Sequence, residues 1–204
     1  MTDEQEAYFE ALGIARDQIT PRTATEKLQE AYERAHEIRK FEIEMYWRRS
    51  SYMWTLQAAA LAGLAVVVAQ YDLTSWSCGE RPTPTEAECV ANRIRFIVVA
   101  GIWLFGVFSA YVWLLLLRGA KYWQNNWERH LDTLEDHFSG ALYKTYPAAE
   151  NKAPYSVTKL NELMALFMFS LWIILGISAM AILSGQVHFM ILAVAVIFVI
   201  VFIA

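Results

Sequence analysis

Residues 118–140, RGAKYWQNNWERHLDTLEDHFSG, decide how this chain is read. They follow without a break on an apolar run, 96–117; no proline interrupts the two, and Gly119 is the only glycine between Val107 and Phe138. An uninterrupted continuation of this kind predicts one helix that crosses a bilayer and runs on into water. In the polar extension Glu128, Asp132 and Glu135 or Asp136 recur every three or four residues and share a helical face. Trp123, Trp127, His130 or Leu131, Leu134 and Phe138 make the opposite, apolar face.

Outward from this stretch, the distribution of charge sets the class. The 17 Lys and Arg and 21 Asp and Glu all lie outside four apolar segments, 53–71, 96–117, 163–183 and 187–204. Roughly 20 apolar residues at 1.5 Å each cross a hydrocarbon core of about 30 Å. A Lys or Arg held mid-span costs about 2.5–3.5 kcal/mol, which accounts for their absence. Four buried helices of a soluble protein would be the alternative. The expectation is an all-α integral membrane protein with four transmembrane helices per protomer, the first two extended into the cytoplasm as a helical layer. No basic, cleavable leader precedes the first span, because the N-terminus MTDEQEAYFEALG is acidic and amphipathic. A net charge of −4 with no dense basic patch implies no nucleic-acid partner.

Residues 1–52 read as a cytoplasmic amphipathic arm. A short helix over 2–17 is closed by Pro21, and Thr23 precedes Glu26 at capping-box spacing, so a second helix is expected from Thr23 into the first span, 53–71. Leu28, Ala31, Tyr32, Ala35, Ile38 and Met45 form an apolar stripe along it, and the extension 118–140 is the surface expected to cover that stripe. Trp47, Tyr52 and Trp54 suit a headgroup belt, with Arg48 and Arg49 as basic anchors. Ala59 and Gly63 make a small-xxx-small pair inside the span, read equally as a helix contact or as a generic alanine-rich segment.

Residues 72–95 form an extracytoplasmic loop holding both cysteines, Cys78 and Cys89. They are disulfide candidates if that side is oxidising, and closing such a loop is worth about 3 kcal/mol. Orientation follows from Lys and Arg near the spans. Arg39, Lys40, Arg48 and Arg49 precede the first, and Arg118, Lys121, Arg129, Lys144, Lys152 and Lys159 stand between the second and third. The cysteine loop carries only Arg81, Arg93 and Arg95, so both termini are expected in the cytoplasm. After the extension and connection, 118–162, Ser156 is the expected N-cap leading into the third span, 163–183. A turn at 184–186 leads to the fourth, 187–204, which either spans or lies re-entrant or on the surface.

Chemistry is sparse. His36, His130, His137 and His188 are scattered, no HExxH or phosphate-cradling glycine loop occurs, and no cofactor or metal is expected. The acidic face of the extension could form a metal or proton site, or its acids could pair with Arg34, Arg39 or Lys40 or face water. Inside the spans only Gln57, Ser109, Tyr111, Ser170 and Ser178 are polar, so a coupled proton transporter lacks the ionisable residue it needs. A passive pore stays open as an alternative, and an enzyme is not expected.

Three stretches carry a family resemblance: RKFEIEMYWRRSSYMWTLQAAALAG, RGAKYWQNNWERHLDTLEDHFSGALYKT and YSVTKLNELMALF. Together, over roughly 39–166, they resemble the RipA family of bacterial octameric membrane proteins. The matching positions are Arg118, Gly119, Lys121, Trp123, Gln124, Trp127, Glu128, His130, Leu134, Glu135, Gly140, Leu142, Tyr143, Lys144, Ser156, Lys159 and Asn161. The family tends to have proline where this chain has Ala141. The resemblance implies an octamer in a bacterial inner (cytoplasmic) membrane and no enzymatic reaction. The expected function is a homo-oligomeric scaffold or sensor whose partners are itself, the lipid bilayer and an unidentified cytoplasmic protein. The alternative is an oligomeric ion channel or pore.

Overall fold

The computed structural model describes residues 7, 8, 10–13, 21–70, 86–140 and 156–184. Helix α1 is Pro21–Gln70, α2 is Glu86–Leu134, prolonged by a 3-10 turn over Glu135–His137, and α3 is Val157–Ser184. Among the described residues there is no strand. All three helices are long and apolar enough to cross a membrane. The expected fourth span, 187–204, lies outside the described residues, as do Cys78, Leu142, Tyr143 and Lys144.

The 50 residues of α1 form one helix because nothing between Thr23 and Ala62 breaks it. Pro21 opens this helix rather than closing the preceding one. A proline in the first turn lacks an N–H that would find no intrahelical partner there, and its φ is already helical. The second helix begins at Glu86, well ahead of the apolar run at 96, so the last part of the expected 72–95 loop is helical. It also ends earlier than position 140. The backbone tightens at Glu135–His137, where Phe138 and Ser139 N–H both donate to the Glu135 carbonyl (3.0 and 2.9 Å). The chain then leaves through Gly140 at φ 63, a left-handed turn that only glycine makes without strain. Helix α3 starts as expected: the Lys159 N–H donates to Ser156 Oγ (3.4 Å) and the Leu160 N–H to the Ser156 carbonyl (3.1 Å).

The chain divides into two compact units. A polar unit comprises Met1–Arg48 and Arg118–Pro154, and an apolar unit comprises Arg49–Leu117 and Tyr155–Ala204. In the polar unit α1 and α2 run antiparallel. The Tyr32 hydroxyl meets Ser139 Oγ at 3.0 Å near one end, and Arg39 meets Glu128 further along. Ala35, Leu131 and Leu134 are buried in that unit. In the apolar unit Ala60 of α1, Ala110 of α2 and Trp172 of α3 form the buried centre, with Leu64, Ile102, Val107 and Phe169 packed around them. Small side chains at the first two positions let the third helix bring in its indole, the kind of close approach on which helix packing in lipid depends.

Candidate functional site

The densest polar arrangement lies in the middle of the apolar unit and links all three helices. Gln57 of α1 is 0 % exposed. Its Oε1 accepts from Trp172 Nε1–H of α3 (2.6 Å), and its Nε2 donates to Ser109 Oγ of α2 (2.8 Å) and, more weakly, to the Gly106 carbonyl (3.5 Å). Ser109 Oγ is bonded back to the Phe105 carbonyl at 2.7 Å. The amide thus answers an indole donor on one helix and a hydroxyl on another. In hydrocarbon the indole N–H and the amide itself would otherwise go unpaired.

Two glycines make this geometry attainable. A Cβ on Gly106 would fall inside the Trp172 indole, and one on Gly176 would fall inside the Trp103 indole. Each helix of the α2/α3 pair therefore inserts a tryptophan into a notch on the other. Trp103 Nε1–H donates to the Trp172 carbonyl (2.7 Å), tying the two notches together. A second polar layer lies elsewhere in the same unit, where buried Asn161 Nδ2 of α3 donates to buried Ser50 Oγ of α1 (2.8 Å). Trp54 stands edge-on to Trp113, ring centroids 5.0 Å apart. Trp54 is half-buried there.

In the polar unit the extension pairs with α1 as foreseen, but through a different face. The buried positions of α2 there are Ala120, Gln124, Leu131 and Leu134, at spacings of four, seven and three. Trp123 sits one residue off this line and is 52 % exposed, so it does not share the covered face with Leu131. Trp127 is half-buried and lines a groove of about 540 Å³ with Ala31, Ala35, Ile38, His130 and Leu134. The Tyr8 hydroxyl lies 2.9 Å from His130 Nδ1, and the imidazole is also 5.3 Å from the Trp127 ring. Burial pushes the Tyr8 phenol up from its ordinary pKa.

The acidic face divides. Glu128 pairs with Arg39 (3.6 Å), one of the partners expected for it, whereas Arg34 pairs within α1 with Glu30 (3.8 Å). Asp132 is exposed, but Glu135 is 0 % exposed: four residues past buried Leu131, it falls on the buried line of the helix and not on the acidic row. Among the described residues no cluster of three or more His, Cys, Asp or Glu could hold a metal.

The remaining sequence-derived positions scatter over surface and core. Arg118, Gly119 and Lys159 are exposed and Lys121 is half-buried. Trp47 and Tyr52 are exposed, Arg48 is bonded to Glu44 (2.8 Å) and Arg49 is half-buried. Cys89 is disulfide-bonded, its expected mate Cys78 being the only other cysteine of the chain. The Trp103–Gly176 and Trp172–Gly106 notches were not anticipated. Their only sequence signal is one glycine and one tryptophan three or four residues apart in each helix.

No curated protein and no solved structure matches the chain. The family model of the octameric membrane protein family matches residues 29–181, a stretch that takes in most of α1, all of α2 and nearly all of α3. With three quarters of its length under that match, the protein is a membrane protein and belongs to the octameric membrane protein family.

Proposed function

We propose that eight copies of this chain assemble in a bacterial inner membrane into a scaffold or sensor that acts by docking rather than by catalysis. Family membership over 29–181 carries the reading, since the family is named for its octamer. The excess of Lys and Arg before the first span and between the second and third, over the three arginines of 72–95, supports placing both termini in the cytoplasm. In that orientation the polar unit would be the part that meets a cytoplasmic protein.

The filled centre of the apolar unit favours a scaffold over a pore. Trp113, Trp172 and Gln57 are each 0 % exposed there, so a conduit would have to run between subunits rather than through one. Mass photometry of the complex in nanodiscs tests the count. Eight times 23.4 kDa, about 187 kDa of protein, is expected, and any other stoichiometry refutes the octamer. The same preparation in planar bilayers should stay electrically silent over a wide voltage range. Reproducible unitary currents would replace the scaffold with the pore.

A further inference from the structure

An N-terminal turn touches both helices of the polar unit. The Leu12 N–H donates to the Tyr8 carbonyl (3.1 Å) and the Gly13 N–H to that of Glu10 (2.9 Å). Gly13 ends the turn at φ 74, a conformation that glycine takes without strain. Two bonds fasten it. The Gly13 carbonyl accepts from Lys27 Nζ of α1 (3.2 Å), and the Tyr8 hydroxyl meets His130 Nδ1 of α2 (2.9 Å). Tyr8 and Leu12 thereby line the groove whose other walls include Ala31, Ala35 and Trp127. Of the two fastenings, only the second involves a side chain type whose charge changes between about pH 5 and 8. A phenol can donate or accept, so the Tyr8–His130 bond can form with the imidazole in either charge state. Its strength differs between them: an imidazolium N–H given to an oxygen makes a charge-assisted bond, about twice as strong as a neutral one. Trp127 contacts the imidazole from the preceding turn of the same helix, ring centroids 5.3 Å apart, and so favours neither position of the N-terminal turn. From α1, Lys27, Glu30 and Arg34 line the same groove. Arg34 is paired with Glu30 (3.8 Å) on largely exposed side chains and Lys27 is engaged by Gly13, so solvent screens what charge is left.

We propose that this N-terminal turn is a pH-sensitive strap over the α1–α2 groove, bound more tightly when His130 is protonated. Acid in the medium around the polar unit seats the strap, and a neutral medium lets it lift. Burial raises the pKa of the Tyr8 phenol, which therefore keeps its proton throughout this range and offers its oxygen to the imidazolium. The strap works within one chain, so the inference stands apart from the number of subunits and from the scaffold reading.

A nitroxide on Ala11→Cys, an exposed position of the turn, reads the strap in the full complex, because Cys89 is disulfide-bonded and does not compete for the label. Its continuous-wave paramagnetic resonance spectrum separates an immobilised, seated population from a mobile, lifted one, whatever the subunit number. Lowering the pH from about 8 to about 5.5 should raise the seated-to-lifted ratio roughly fivefold, the gain expected when a neutral hydrogen bond becomes charge-assisted. Adding His130→Gln, which cannot titrate, should give one ratio at both pH values, with far-UV circular dichroism showing the helices intact. Adding Tyr8→Phe removes a single hydroxyl and should lower the ratio and flatten its pH dependence, which keeps the test open if the glutamine variant fails to fold. A ratio that stays constant or falls on acidification, with Ala11→Cys as the only change, would overturn the strap. A full pH response surviving in either folded variant would overturn it as well.

Discussion

Replacing Gly106 by alanine tests whether the tryptophan notches hold the apolar unit together. The added methyl would occupy the space of the Trp172 indole, which is 0 % exposed and has no free side to move to. Either α2 and α3 separate or the indole leaves its rotamer. Overpacking of this kind costs about 1–3 kcal/mol. If the indole moves, its N–H leaves Gln57 Oε1, and interhelical hydrogen bonds in membrane proteins are worth about 0.6–1.7 kcal/mol. The alanine returns about 1 kcal/mol of helix propensity. The net loss is about 2 kcal/mol, some thirtyfold in the folding equilibrium. It is measurable by unfolding in mixed micelles of increasing dodecyl sulfate content, followed by circular dichroism. Gly176→Ala should behave alike against Trp103. The double variant Gly106→Ala/Trp172→Ala should recover more than about 1 kcal/mol relative to the sum of the singles, because the methyl then has room. A Gly106→Ala protein at or above the stability of the unaltered one, or strict additivity in the cycle, would refute the reasoning.

Three further perturbations separate the other contacts. Gln57→Leu strands the Trp172 donor and should cost about 1–2 kcal/mol in the same assay, and adding Trp172→Phe, which removes that donor, should return part of it. In the polar unit, Glu128→Arg should lower stability by less than about 1 kcal/mol, with Arg39→Glu restoring it, since the pair is partly exposed and 3.6 Å long. Glu135→Lys should cost more than about 3 kcal/mol and find no rescue from Arg39, because a fully buried position cannot hold an uncompensated charge. The raised pKa of Tyr8 means the folded form keeps its phenolic proton where the unfolded chain begins to lose it. The phenol's contribution is therefore whole below its ordinary value of 10.0 and falls as pH rises beyond it. The contact of Tyr8 with His130 should loosen above that pH, seen as a pH-dependent fall in stability in urea unfolding that Tyr8→Phe lacks.

Helix course was legible in this sequence wherever a periodic apolar pattern met an unambiguous stop. Ser156 as a cap and the unbroken run from Thr23 onward are of that kind. The start of α2 was not, because EAECVANRIR is charged enough to read as loop, although it holds no glycine or proline to prevent a helix. The face of the extension was misread at Trp123 for a different reason. Aromatic character suggested burial, yet helical geometry gives the covered line to Gln124, one residue and 100° away. Gln57 was visible as a polar residue inside a span, but its acceptor role was not, since its donor lies 115 residues further on. Gly101 and Gly106 look alike in sequence, both inside the apolar run of α2, and only the Trp172 indole of another helix, which a Cβ on Gly106 would enter, distinguishes them.

That distinction bears on where a sensor built this way could respond. The bonds of the apolar unit, from Trp172 to Gln57 to Ser109 and from Asn161 to Ser50, are buried and cannot be exchanged for water without exposing a donor to hydrocarbon. A partial opening of that unit therefore carries the cost of every broken bond. The contacts of the polar unit are of another sort: Arg39 with Glu128, Lys27 Nζ with the Gly13 carbonyl (3.2 Å) and Tyr32 with Ser139 are exposed or partly so, and water replaces them at little cost. An input of 1–2 kcal/mol, the scale of a typical allosteric coupling, could rearrange the second set and leave the first untouched. If a signal passes through this protein, the residues that change partners should be found among those polar contacts, with Gln57 as a fixed reference whose environment stays constant.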